Sequence, residues 1–207
     1  MLENIDLLTL FLKHPSVCTD SRKLNKGDIF FALKGQNFNG NQFALQAIEN
    51  GASYAVIDEK VTIDQNAEEQ NKLIFVSNTL TSLQKLANDY RNYLNIPVIG
   101  LTGSNGKTTT KELIAEVLNC QFKINFTKGN LNNEIGVPLT ILNTKADDEM
   151  LVVEMGANHQ GEIALLSEIA NPNFGIITNI GKAHLEGFGG EEGVKKGKSE
   201  LFRHLAK

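Results

Sequence analysis

The chain has 207 residues, room for one large domain or two small ones, and its 41% hydrophobic and 21% charged content excludes wholesale disorder. Twenty Lys and Arg against twenty-four Asp and Glu leave a net charge of −4, which disfavours a protein that tracks nucleic-acid phosphates. No apolar run approaches the roughly 18 residues of a membrane span, the first residues lack the basic opening of a signal peptide, and two distant cysteines make neither a disulfide framework nor a zinc pattern.

In chain order, residues 2–13 carry a helical stripe at Leu2, Ile5, Leu8 and Leu12. Residues 28–33 follow the turn signal Lys26-Gly27 and read as a buried strand. Residues 42–50 predict a helix stopped by Gly51, and 54–57 and 73–76 predict two more strands. The acidic stretch 58–72 reads as a solvated loop, and 79–94 as a helix with Leu83, Leu86, Tyr90 and Tyr93 on one stripe. After Pro97, strand 98–101, a glycine-rich turn and helix 107–118 form one unit. Strands at 122–126, 150–155 and 174–178 then alternate with helices near 135–142 and 162–169. Such alternation predicts an α/β fold with a mostly parallel sheet. The expected domains are 1–77, a small α/β unit, and 78–207, a partial P-loop-type unit. Cys18 and Cys120 have no activating neighbour in sequence and read as small buried hydrophobes.

Gly103-Ser104-Asn105-Gly106-Lys107-Thr108-Thr109 lies between a strand and a helix. Glycines there let backbone N–H groups converge on an anion, and the helix start adds partial positive charge. Lys107 would meet the outer phosphates of a nucleotide and the Thr108 hydroxyl a Mg²⁺ ion. Leu101 stands where the first glycine of the Walker pattern belongs, so an ordinary turn with an exposed lysine is the alternative. Glu154 ends the strand at 150–153 on the edge that a parallel sheet turns toward this loop, which suits either a Mg²⁺ ligand or a surface carboxylate. His184 follows the strand at 174–178 at the same carboxyl edge and reads equally as a structural or a functional loop histidine, whereas His159 lies in a loop that could face substrate.

Thr102 through Thr109 resembles the phosphate loop of the Mur ligases, the ATP-dependent amide-forming enzymes of peptidoglycan synthesis. The strings from Thr127 to Thr140 and from Glu154 to Ile163 look like the branch acting on UDP-N-acetylmuramoyl-tripeptide and D-alanyl-D-alanine. The resemblance implies that Thr102, Gly103, Ser104, Asn105, Gly106, Lys107, Thr108 and Thr109 hold ATP. It implies further that Thr108 and Glu154 hold a first Mg²⁺, and that His184 and Lys198 serve a second. Asn130, Asn132 and Asn133 would line the muramoyl-peptide side, and Ser21, Arg22, Lys34 and Gly35 would lie near uridine or its phosphates. In isolation the last four read as solvated turn residues. Where the family often carries Asp-Gly-His before Phe43, this chain has Asn39-Gly40-Asn41-Gln42. Lys198 matches the family's Lys-x-Glu element, whose lysine is carbamylated in many Mur ligases, although three neighbouring lysines also suit a solvated helix face.

The implied chemistry is phosphoryl transfer from ATP to the tripeptide carboxylate, then attack of the D-alanyl-D-alanine amine on the acyl phosphate. Lys107, Glu154, His184 and Lys198 would carry it, by positioning and charge neutralisation rather than by a protein nucleophile. The family has three domains, so these residues would supply a UDP-binding domain and an incomplete ATP site with little turnover, in a cytoplasmic monomer. A generic P-loop NTPase and a non-catalytic UDP-sugar-binding module are the alternatives.

Overall fold

The computed structural model describes residues 5–60 and 71–206. They fall into two compact units divided between Leu86 and Ala87.

In the first unit, helix α1 (Leu7–Lys13) is shorter than the leucine stripe predicts, because Asp6 caps it: its carboxylate accepts from the N–H groups of Leu8 and Thr9. Residues 2–4 of the expected helix lie outside the described residues. Strands β1 (Val17–Cys18) and β2 (Ile29–Phe31) are followed by a two-stranded antiparallel hairpin, β3 (Lys34–Gly35) and β4 (Phe38–Asn39). The next segment opens as a 3₁₀ turn at Gly40–Phe43 and becomes helix α2 over Ala44–Glu49. Strands β5 (Tyr54–Ile57) and β6 (Leu73–Phe75) complete a parallel sheet in the order β1-β2-β5-β6. Part of the loop expected at 58–72, residues 61–70, lies outside the described residues. Phe30, Ala32, Ala44, Ala47, Ala55, Ile57 and Leu73 make the core, which explains why β2 and β5 read as unbroken apolar runs.

Asn41 is a buried structural hub. Its Nδ2 donates to Asp58 Oδ1 at 2.9 Å, and its Oδ1 accepts from the N–H groups of Asp58 and Glu59. Truncating it removes a partner from each of these part-buried groups. Asn41→Ala should therefore cost between about 1 and 2 kcal/mol of unfolding free energy in urea melts.

Helix α3 (Thr79–Leu94) agrees with its predicted limits. In the second unit its Arg91 is buried, with Nε donating to the carbonyls of Ala170 and Asn171 and Nη2 to Asn173 Oδ1. Strands β7 (Val98–Thr102), β8 (Ile124–Phe126), β9 (Met150–Glu154) and β10 (Phe174–Ile177) form a parallel sheet ordered β10-β7-β9-β8. Helices α4 (Lys107–Asn119), α5 (Gly136–Leu142) and α6 (Glu162–Ala170) provide the connections. Because Leu101 pairs with Glu154 across β7 and β9, the phosphate loop and the strand-terminal carboxylate emerge at one edge.

Three helices that the periodicity does not announce close the described chain: α7 (Leu185–Phe188), α8 (Glu191–Lys198) and α9 (Glu200–Leu205). Helix α8 contains two glycines and owes its stability to packing rather than propensity. The Phe188 ring lies 2.4 Å from where a Cβ at Gly197 would stand, so only glycine fits there. Cys18 is buried as expected, but Cys120 is exposed, since it lies just past the end of α4 on the open side of the unit. Among the described residues no helix is long and apolar enough to cross a membrane.

Candidate functional site

The loop between β7 and α4 is pinned to the segment that follows β10. Ser104 N–H donates to the Asn179 carbonyl and Asn105 N–H to Asn179 Oδ1, while Thr178 Oγ1 and Asn179 Nδ2 both donate to the Asn105 carbonyl. Gly103 has φ +149°, and a Cβ there would meet Thr178 Oγ1 at 2.0 Å, so this close approach requires glycine. Gly106 precedes α4 in the left-handed region and caps the helix with no side chain, leaving the first-turn N–H groups available to an anion. Lys107 Nζ donates to the Gly103 carbonyl at 2.8 Å and lies 3.5 Å from that of Ser104, folded back over the loop.

The loop residues do not all serve alike. Thr102 is fully buried and its hydroxyl donates to the Met155 carbonyl, so this side chain ties β7 to β9 rather than reaching a ligand. Thr109 is exposed on α4. Thr108 Oγ1 stands 3.5 Å from Glu154 Oε1. Glu154 is only 1% exposed, so the surface-carboxylate alternative does not hold. Its Oε1 also accepts from Asn132 Nδ2 at 2.8 Å, and its Oε2 has no hydrogen-bond partner.

Lys107, Asn130, Asn132, Asn133, Glu162 and His184 line a single cavity of about 620 Å³. The asparagines reach it because Gly156 N–H donates to the Asn132 carbonyl, while Asn133 Oδ1 accepts from the N–H groups of Ile135 and Gly136 and caps the entry to α5. His184 is exposed at a left-handed backbone position before α7. His159 pairs through Nδ1 with Glu162 Oε1 at 2.9 Å, and this hydrogen bond helps hold the Glu162 carboxyl below its usual range against the opposing effect of burial.

Lys198 is not on a solvated face: it is 1% exposed, with Nζ donating to the Ala157 carbonyl at 3.3 Å and lying 5.0 Å from the Phe188 ring. Burial first, and the Lys107 charge second, bring its pKa down to about 8. The donors fit Mg²⁺, a hard cation that takes one or two carboxylates and completes its shell with phosphate oxygens and water. Thr108 Oγ1 and Glu154 Oε1 are hard oxygen donors of that kind.

In the first unit, Ser21 and Arg22 sit at the rim of a pocket of about 450 Å³ with Phe30, Phe38 and Phe43 along its apolar side. Arg22 pairs bidentately with Asp20 at 2.8 Å, and these bonds hold the Asp20 carboxyl down to about 2. Lys34 and Gly35 belong instead to the β3–β4 hairpin and a different depression. The Lys34 ammonium is held by Asp58 at 3.1 Å and Glu59 at 3.3 Å, which raise its pKa. Sequence reasoning did not single out Phe38, which lines the pocket beside Ser21 and Arg22, or Lys111, which is fully buried on α4.

The Mur ligase middle domain family matches residues 101–207, and the Mur ligase family catalytic domain matches residues 15–91. UDP-N-acetylmuramoyl-tripeptide–D-alanyl-D-alanine ligase of Bacillus subtilis (strain 168) is 46% identical over 189 residues, covering 91% of this chain and 41% of that protein. The Escherichia coli (strain K12) ligase of the same name is 40% identical over 190 residues, covering 92% and 41%. Among solved structures, MurF from Acinetobacter baumannii superposes with TM-score 0.84 at 39% identity, over 92% of this chain and 41% of that one. MurF ligase from Thermotoga maritima in complex with ADP gives TM-score 0.84 at 36% identity, over 97% and 44%. The chain thus spans about 41% of the length of the curated relatives it matches.

Proposed function

The chain belongs to the Mur ligase family, and on that premise we propose that it carries the UDP- and ATP-binding parts of a ligase joining D-alanyl-D-alanine to UDP-N-acetylmuramoyl-tripeptide in the cytoplasm. The observation that carries this reading is the single cavity into which Lys107, the three asparagines and His184 all open. A phosphate loop beside polar amides suits a nucleotide meeting a peptidic substrate better than a nucleotide alone, which argues against a generic NTPase.

In this reading the tripeptide carboxylate attacks the γ-phosphorus of ATP, the bond to the bridging oxygen of ADP breaks, and an acyl phosphate forms. The D-alanyl-D-alanine amine then adds to the acyl carbon, and phosphate leaves as the C–N bond is completed. Lys107 and the first-turn N–H groups of α4 hold and neutralise the phosphates, with the remaining loop residues setting the approach. Thr108 and Glu154 would hold Mg²⁺, which supplies charge neutralisation on the phosphate oxygens. Asn130 and Asn132 orient the peptide, and Asn133 shapes the loop that carries them. His184 and Lys198 are assigned to the second cation, Lys198 as a carbamate formed from its neutral amine and CO₂. Its lowered pKa supports that role, because the neutral amine is the nucleophile. The pocket of the first unit takes the uracil between its phenylalanines, with Ser21 and Arg22 at the phosphates. Lys34 and Gly35 support that unit through the hairpin and its carboxylate pairs.

Calorimetric titration of the chain with UDP-N-acetylmuramoyl-tripeptide tests this. Saturable binding should weaken about tenfold in Arg22→Ala, the loss of one charge-assisted contact. Absence of sugar-nucleotide binding alongside Lys107-dependent binding of ATP and Mg²⁺ would favour a plain NTPase.

A further inference from the structure

Lys111 is a charged residue with no exposure at all, one helical turn beyond Lys107 on α4. Its Nζ has no hydrogen-bond partner. The nearby groups are Glu112 Oε1 at 2.9 Å, on a half-exposed side chain, the Phe126 ring at 5.7 Å, and Glu154 Oε2 at 4.0 Å. Glu154 Oε2 is itself buried and without a hydrogen bond. Two buried, oppositely charged ends therefore lie 4.0 Å apart, neither making a hydrogen bond, and the half-exposed Glu112 gives Lys111 a second counter-charge. Burying either alone is costly, so each contributes to making the other tolerable, and Lys111 is the buried cation facing Glu154 Oε2.

Geometry then divides the carboxylate. Thr108 and Lys111 stand three residues apart on α4 and so share one face. The hydroxyl approaches Glu154 Oε1 and the ammonium approaches Oε2, while Asn132 fixes Oε1 from the other side. We propose that Lys111 is a positioning residue of the nucleotide site, a buried counter-charge that keeps Glu154 Oε2 turned inward and presents Oε1 to the cation. This rests on the reading of Glu154 as the metal-binding carboxylate. Lys111 touches no substrate, and it acts entirely through Glu154.

The test uses the 207-residue chain with Lys111→Met, Glu154→Gln, both together, and Glu112→Gln as a control. Urea denaturation without metal gives the coupling, and Mn²⁺ electron paramagnetic resonance in the presence of ADP gives cation affinity. The proposal expects the double variant to be more stable than Lys111→Met alone, because removing the carboxylate charge relieves the one left unpaired. It also expects Lys111→Met to weaken Mn²⁺–ADP binding at least about tenfold while folded, with Glu112→Gln leaving it unchanged. Additive stability losses, or wild-type Mn²⁺–ADP affinity in folded Lys111→Met, would overturn the assignment and leave the nucleotide site standing. Failure of the wild-type chain to bind Mn²⁺–ADP would overturn the nucleotide reading and the assignment with it.

Discussion

Replacing Lys107 with alanine should lower affinity for ATP with Mg²⁺ about 100-fold while leaving the chain folded and its affinity for UDP unchanged. Without nucleotide the ammonium spends its hydrogen bonds on the Gly103 and Ser104 carbonyls of its own loop. Phosphate oxygens are stronger acceptors because they carry charge, and a charge-assisted contact of this kind is worth up to about 3 kcal/mol, or about 100-fold in affinity. The side chain is half-exposed, so its removal opens no hole in the core. The loop itself stays pinned by Ser104, Asn105, Thr178 and Asn179, none of which depends on Lys107. UDP titration provides the internal control, since the pocket assigned to it is built wholly from residues 19–43. ATP affinity within threefold of wild type would show that the loop does not hold phosphates through this lysine.

Much of the site was legible because its signals are local. Glycine spacing between an apolar run and a helical stripe defines the β7–loop–α4 unit, and the alternation of strands and helices implies a parallel sheet. A parallel sheet puts Glu154 beside the loop before any contact is seen, and the Leu101–Glu154 pairing realises that edge. What stayed hidden depends on packing between distant segments. Lys111 reads as one more polar helix residue in Lys-Thr-Thr-Thr-Lys-Glu, yet it is fully buried between its neighbour Glu112 and the Glu154 carboxylate arriving from β9. Helix α8 violates its own propensities, and close packing of Phe188 on both of its glycines, Gly193 and Gly197, explains it. The β3–β4 hairpin is two residues a side, too short for any period to register, and it carries Lys34 to Asp58 and Glu59. Cys120 shows the converse error: a small apolar residue past a helix end has nothing to pack against and stays exposed.

Lys198 should make stability depend on pH in an unusual direction. Its ammonium is buried, and burial with the nearby Lys107 charge lowers its pKa from 10.5 to about 8. Between those two values the unfolded chain holds the proton and the folded chain does not, so stability rises with pH across this window. Below about 8 both states are protonated, and the folded protein bears the full cost of the buried charge, about 3 kcal/mol for a shift of this size. Lys198→Met removes that cost but also the bond to the Ala157 carbonyl, worth about 1 kcal/mol. The variant should therefore be about 2 kcal/mol more stable than the parent at pH 7, with the gap closing and then reversing to about 1 kcal/mol in the parent's favour as pH rises from 8 past 10.5. Paired urea melts in carbonate-free buffer measure the difference, in which titrations common to both proteins cancel. A gap that does not change with pH, or a variant less stable than the parent at pH 7, would refute the buried-charge account. Repeating the series with ¹³C-bicarbonate links this cost to chemistry. The neutral amine that escapes the desolvation penalty is the species that captures CO₂, so a carbamate ¹³C resonance should grow in the parent as pH approaches 8 and be absent from Lys198→Met.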